Sequence, residues 1–228
     1  GALMGLLKNY EVVNPFITSS NDAINRLKPG FEAPVCIVAS IGRDVLTPAR
    51  NRTVLAGLVR DIDNPKGTRF EVRSPNPHTN TYLALAAMYQ AMLDGIKYAV
   101  KSGKTTKELE KEFTKDVGEE ADYLEKDRAY RSEENVFEYY TKEQRDKMFG
   151  VPPATVWENL KALKEYPEKT RVLYQGNVFW ENIVRSYEKA ICIQWTMELY
   201  ERILTENTDI VKNCKKIHNE HDSTDYDE

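Results

Sequence analysis

Between residues 26 and 73 the chain carries seven arginines, and five of them, Arg26, Arg52, Arg60, Arg69 and Arg73, stand near loops or strand ends. A guanidinium is a planar fork that grips carboxylate or phosphate bidentately and stays charged at any working pH. Several on one sheet face without matching acids point to an anionic ligand, although any one alone reads as solvated surface charge. Glu71 falls between Arg69 and Arg73, where two cations favour its carboxylate form. It suits a hard metal such as Mg²⁺ or Mn²⁺, which take oxygen donors, and it equally suits a cross-strand salt bridge. Glu32 lies in Pro29-Gly-Phe-Glu-Ala-Pro34, a loop stiffened by proline and glycine. It reads as a lid carboxylate closing over substrate or as an ordinary turn glutamate. His78 reads as a surface histidine. His218 and His221 share an acidic tail with no third ligand, so no metal is expected there. Trp180 and Trp195 read as core.

Three strand-like runs must position these groups: Val35 to Ala39, Arg52 to Arg60, and Thr68 to Arg73 beyond an Asn64-Pro-Lys-Gly67 turn. The last alternates, so Arg69, Glu71 and Arg73 share one face and Phe70 and Val72 the other. Residues 5–34 are rich in turn formers and read as an ordered loop with a short helix from Ala23 to Leu27. Tyr82 to Lys97 is rich in Ala, Leu and Met, apolar nearly all round, and reads as a buried helix. Residues 101–134 are mostly Lys, Glu and Asp and read as exposed helices or a mobile insert without chemistry. Helices follow over Asn135 to Met148, Ala154 to Leu163 and, amphipathic and packed on the core, Asn177 to about Leu204. The order predicts an α+β fold: a short antiparallel sheet of about three strands, then several α-helices.

The chain has 228 residues, 41% of them hydrophobic, and its 30% charged residues nearly cancel to a net charge of −4. That balance excludes a general attraction to nucleic acid or to an anionic membrane surface. Cys36, Cys192 and Cys214 are few, odd in number and far apart, which indicates a reducing compartment and a cytoplasmic location. No apolar run approaches the roughly 20 residues of a membrane helix.

Four stretches then carry a specific resemblance. Arg26-Leu-Lys-Pro-Gly-Phe-Glu-Ala-Pro-Val35, Arg50-Asn-Arg-Thr53, Arg69-Phe-Glu-Val-Arg-Ser-Pro-Asn-Pro-His-Thr-Asn-Thr-Tyr-Leu-Ala-Leu-Ala-Ala-Met88 and Leu93-Asp-Gly-Ile96 resemble, in order and spacing, successive signatures of the glutamine synthetase catalytic domain. The likeness is clear over residues 20–97 and fainter from Pro152 to Leu204. Two departures stand out. Arg60 fits its family counterpart only with a short insertion, and Ser74-Pro-Asn-Pro77 replaces the usual Phe-Pro-Asp-Pro. Tyr139 and Tyr140 read as helix-face aromatics rather than as the tyrosine that some bacterial members modify.

The resemblance implies an ATP-dependent ligation in which the γ-carboxylate of glutamate is phosphorylated and ammonia displaces the phosphate. In that scheme Arg26 and Arg73 hold substrate, and Glu32 is the flap glutamate that takes a proton from ammonium. Arg52 stabilises the transferring phosphoryl group, Arg60 and Arg69 lie on the nucleotide side, and Glu71 binds Mg²⁺ or Mn²⁺. It further implies a homo-oligomeric ring with active sites between subunits. The family's other metal ligands, its main adenine pocket and its N-terminal domain precede the matched stretch. The chain is therefore expected to be a C-terminal fragment, inactive alone. Residues 1–4 are expected to be a cloning remnant, 5–100 a catalytic segment and 101–150 a charged insert. Residues 151–206 are expected to be closing helices and 207–228 an acidic, disordered tail. The alternatives are a relative that has lost its chemistry and serves assembly, or a ligase for another amine; the motifs of phosphagen kinases are not those seen here.

Overall fold

The alternating run after the Asn64 turn does form a strand, and it is the outermost of three. In the computed structural model, which describes residues 1–27, 33–44 and 46–215, β1 (Cys36–Ser40), β2 (Val54–Val59) and β3 (Arg69–Val72) lie in the order β1-β2-β3. The α+β class is as expected, but the sheet is mixed. β2 and β3 form an antiparallel hairpin around a short 3₁₀ turn, Pro65–Gly67, whereas β1 and β2 run parallel with an irregular register. Parallel neighbours need a crossover connection of about a dozen residues or more. The stretch from Ile41 to Thr53 supplies it, where an antiparallel pair could have used a tight turn.

Residues 5–34 were expected to be ordered loop with one short helix at Ala23 to Leu27, but the described residues 1–27 are largely helical: α1 (Ala2–Lys8), α2 (Tyr10–Val13) and α3 (Asn21–Ile24), with 3₁₀ turns at Asn14–Phe16 and Asn25–Leu27. Residues 3–7 and 9–13 are all buried, so α1 and α2 are enclosed on nearly every side and not on one face alone. Gly1 to Met4 pack into the fold, with Leu3 and Met4 in the main core. Their partner is α4 (Thr81–Ser102), capped by Asn80, whose Oδ1 accepts from the Tyr82 and Leu83 amides at 3.1 and 3.2 Å. It ends on Gly103 in the left-handed region. α1 and α4 touch backbone to backbone. A Cβ built on Gly5 would stand 2.6 Å from the Gly95 nitrogen, so only glycine fits at the crossing. One side of α4 is nonetheless open: Tyr82, Leu85, Tyr89, Leu93, Ile96 and Val100 are exposed, so the helix is half-covered and not buried as expected.

The charged stretch after α4 also packs into the fold. α5 (Thr106–Phe113) begins with a capping box, Thr105 with Glu108, and Phe113, Leu124 and Tyr130 enter the main core. The single helix expected from Asn135 to Met148 is two, α6 (Val136–Tyr139) and α7 (Lys142–Phe149), because Tyr140 is extended and Thr141 starts a new capping box with Gln144. The remaining helices are α8 (Val156–Glu165), α9 (Pro167–Leu173), α10 (Glu181–Met197) and α11 (Thr208–Asn213). A π-helical stretch, Glu198–Glu206, links the last two.

The main core joins α1, α2, the inner residues of β1 and β2, and α4 with Leu173 and Phe179. Phe16 is its aromatic hub, edge-on to Phe179 at 4.7 Å and tilted against Tyr187 at 4.7 Å. A smaller cluster binds Cys36, Val38 and Val54 to Val136 and Phe149. Trp195 is partly buried against Ile24, Val156 and Leu160, but Trp180, expected in the core, is 56% exposed. The free thiol of Cys36 is buried, which pushes its pKa up to about 12, while Cys192 and Cys214 are free and exposed. No helix among the described residues is long and apolar enough to cross a membrane. The tail from residue 216, with His218 and His221, lies outside the described residues.

Candidate active site on the strand hairpin

The β2–β3 pairing orders the candidate residues along one ribbon. Val59 opposes Arg69, Gly57 opposes Glu71 and Ala56 opposes Val72; beyond them the Arg73 amide donates to the Leu55 carbonyl at 2.9 Å. Arg69, Glu71 and Arg73 alternate onto one face as expected, and Val72 packs towards the core from the other. Glu71 is exposed opposite a glycine, and a Cβ built on Gly57 would meet nothing within 4 Å. The strand pair therefore leaves an open floor beside the carboxylate.

The arginines divide between the two ends of this ribbon. Arg60 follows the last residue of β2, at the same end as Arg69, whose Nη1 donates to the Gly67 carbonyl at 3.2 Å. The Thr47 hydroxyl, with the Thr47 and Leu46 amides, holds the Asp44 carboxyl below the usual carboxylate range, and the Arg60 charge adds to that. Arg52 precedes β2 and is exposed at the opposite end, where Arg73 leaves β3 half-buried. β2 itself runs for six residues, about 17 Å at 3.3 Å per residue, and Arg52 and Arg60 flank its two ends. Glu71 lies between the two groups.

Arg26 is half-buried in the Asn25–Leu27 3₁₀ turn, at the start of the segment leading to Glu32. Glu32 itself lies outside the described residues. His78 is at the surface, as expected, with Nε2 2.9 Å from an Asp22 carboxylate oxygen. That contact ties the segment following β3 to the segment preceding Arg26.

The family "glutamine synthetase, catalytic domain" matches residues 1–145. The chain belongs to the glutamine synthetase catalytic-domain family. Among its relatives, the glutamine synthetase of Rhizobium meliloti (strain 1021) is 37% identical over 145 residues, covering 59% of this chain and 29% of that protein. That of Aquifex aeolicus (strain VF5) is 31% identical over 186 residues, 81% of this chain and 31% of the relative. That of Azospirillum brasilense is 35% identical over 183 residues, 80% and 30%. The chain thus spans less than a third of the length of these relatives. The glutamine synthetase match takes in Gly1 to Met4 and the stretch from 101 to 145, both of which are packed into this fold.

Glu71 is one carboxylate, and among the described residues no group of three or more His, Cys, Asp or Glu could hold an ion. Mg²⁺ takes six oxygen ligands, so a single carboxylate does not by itself make a site for it.

Residue-type reasoning passed over Asn51 and Thr53, the neighbours of Arg52, and the segment from 131 to 136 that contacts them. The hint was present in Arg50-Asn-Arg-Thr53, whose asparagine and threonine are both able to bond backbone groups locally.

Proposed function

We propose that this chain forms the C-terminal part of the catalytic apparatus of an ATP-dependent glutamate–ammonia ligase. The observation that carries the reading is the ribbon order: Arg60 and Arg69 at one end, Glu71 over the open floor at Gly57, and Arg73 with Arg52 at the other. A nucleotide entering from the Arg60 end would carry its terminal phosphate past Glu71 towards Arg52. Glutamate, gripped by Arg73 and Arg26, would present its γ-carboxylate there. Phosphoryl transfer depends on positioning and on positive charge held where negative charge spreads, and guanidinium groups supply both. In this reading Arg52 stabilises the phosphoryl group, Glu71 contributes one ligand to a bound Mg²⁺ or Mn²⁺, and Glu32 takes the proton from ammonium before the amine attacks. The acceptor is ammonia, the assembly a homo-oligomeric ring and the location the cytoplasm.

The 228-residue chain alone is inactive in this reading, since one carboxylate cannot hold the metal that the reaction requires. An assay for γ-glutamyl hydroxamate with ATP, Mg²⁺, glutamate and hydroxylamine tests it. The isolated chain should form none. A chimera in which residues 1–145 replace the matching stretch of the Rhizobium meliloti relative should form it, and Glu71→Gln or Arg73→Gln in that chimera should abolish it. Turnover by the chain alone would overturn its inactivity, and an active chimera indifferent to both substitutions would overturn the site.

A further inference from the structure

Arg52 is exposed on the long connection between β1 and β2, yet the residue on each side of it is fixed. The Asn51 Nδ2 donates both its hydrogens, to the carbonyls of Ser132 at 3.3 Å and of Glu134. Its Oδ1 accepts from the Thr53 amide at 3.0 Å and from the Thr53 hydroxyl at 2.6 Å. That hydroxyl in turn accepts from the Val136 amide at 3.0 Å, and Thr53 is 6% exposed. Every donor and acceptor of the Asn51 side chain is thereby used.

The same distant segment fixes the start of the connection. Glu133 accepts from the Ser40 hydroxyl at 2.6 Å, the Ile41 amide at 3.0 Å, the Gly42 amide at 3.1 Å and the Arg131 Nε at 2.8 Å. The Arg131 Nη2 returns a bond to the Gly42 carbonyl at 2.8 Å. Beneath these side chains the backbone pairs directly: the Ala39 amide donates to the Tyr130 carbonyl at 2.9 Å and the Ser132 amide to the Ala39 carbonyl at 3.0 Å. Burial acts to raise the Glu133 carboxyl. The Ser40 hydroxyl, Arg131 and the Ile41 amide outweigh it and hold the group below the usual carboxylate range.

We propose that Asn51 and Glu133 are positioning residues for Arg52, clamping both ends of the Ile41–Thr53 connection to the Arg131–Val136 segment so that the guanidinium is held ready for the transferring phosphoryl group. This inference rests on the reading of Arg52 given above. An arginine on an unsupported connection of this length would spread over many conformers. Preorganised charge acts in transition-state stabilisation because it needs no reorganisation when the reaction occurs. A misplacement of about 1 Å is enough to slow a reaction on the order of 100-fold.

The clamp is read by amide hydrogen exchange in the 228-residue chain and by kinetics in the chimera. Asn51→Ala should speed exchange at Arg52, Thr53 and Val136 at least tenfold while Leu6 and Ala91 in the core stay protected. Asn51→Asp, which keeps the acceptor for Thr53, should fall between. In the chimera, Asn51→Ala and Glu133→Gln should lower kcat with the KM values for ATP and glutamate within about twofold, a split that general loosening of the fold would not give. If Asn51→Ala does not fold, Asn51→Asp and Glu133→Gln decide by the same readings. Unchanged exchange at Arg52 overturns the clamp, and so does unchanged kcat in an active chimera. A chimera without turnover overturns the reading of Arg52, and with it the positioning role, whatever the exchange shows.

Discussion

The Arg128 guanidinium lies 2.7 Å from the Glu11 carboxylate, 117 residues away in the chain, with neither side chain more than a tenth exposed. Glu125 and Lys169 complete an alternating square: Arg128 to Glu125 at 3.0 Å, Lys169 to Glu125 at 2.8 Å and Lys169 to Glu11 at 3.0 Å. Tyr130 adds a hydrogen bond to Glu125 at 2.9 Å, and the Arg128 Nη2 donates to the Phe149 carbonyl at 3.0 Å. Gly150 lies against the guanidinium, where a Cβ would stand 2.8 Å from its Cζ. Glu11, Arg128 and Lys169 can be buried beside the half-buried Glu125 because each of the four charges faces two of opposite sign. The square joins α2, the stretch before α6, and α9.

Removing one corner leaves buried charge uncompensated. Arg128→Met should destabilise the chain by about 3–5 kcal/mol in urea unfolding. A loss under about 1 kcal/mol would mean that the square contributes little.

Acid should find the same weakness. Burial pushes the Glu125 carboxyl up, but Lys169 and Arg128 with the Tyr130 hydroxyl outweigh it and hold the group below its ordinary range. A carboxyl depressed in the folded state stabilises above its unfolded pKa of about 4.3, and that stability is lost as pH falls through the folded value. The wild type should therefore lose stability below about pH 4 more steeply than Glu125→Gln, which starts lower and flatter. Parallel acid-limb slopes in a series of urea titrations would refute this.

Gly95→Ala should destabilise, although glycine to alanine inside a helix ordinarily stabilises by up to about 1 kcal/mol. Its Cβ would stand 2.5 Å from the Gly5 nitrogen, backbone that has nowhere to go while α1 stays docked. The expected loss is towards the upper end of the roughly 1–3 kcal/mol typical of overpacking. A rise in the thermal midpoint would show that the helices do not cross this closely.

Asn159→Leu should lose about 1–3 kcal/mol despite its similar size. The Asn159 Nδ2 donates to the Thr18 carbonyl at 2.8 Å and its Oδ1 accepts from Asn14 at 2.7 Å, all in buried surroundings. Leucine strands the Thr18 carbonyl and leaves the Asn14 amide only its longer bond to the Pro153 carbonyl at 3.3 Å. Equal stability in chemical denaturation would indicate that water replaces the amide.

Much of the candidate site was legible from short motifs. The alternation of Thr68 to Arg73 alone put Arg69, Glu71 and Arg73 on one face, because side chains in a strand point to opposite sides in turn. The Ala, Leu and Met content from Tyr82 onward announced α4, since those residues lose little freedom in a helix. The lysine- and glutamate-rich stretch misled, because its composition hides Phe113, Leu124 and Tyr130, three buried residues among many exposed ones. The N-terminal helices were hidden because they are short and are separated by Asn9, Asn14-Pro15 and Ser19-Ser-Asn-Asp22, which also favour turns.

From the sequence alone follow the family, the α+β class, the hairpin and the residues it displays, each encoded by neighbours within a few positions. The tertiary structure alone decided that β1 runs parallel to β2, that Asn51 is fastened to Ser132 and Glu134, and that Arg128 meets Glu11. The reason is range. Local periodicity reflects the geometry of one element, whereas these pairings join groups from about eighteen residues apart, for β1 and β2, to more than a hundred, for Arg128 and Glu11. What selects them is the burial and hydrogen bonding that each group gains from its partner, and no nearby residue carries that information.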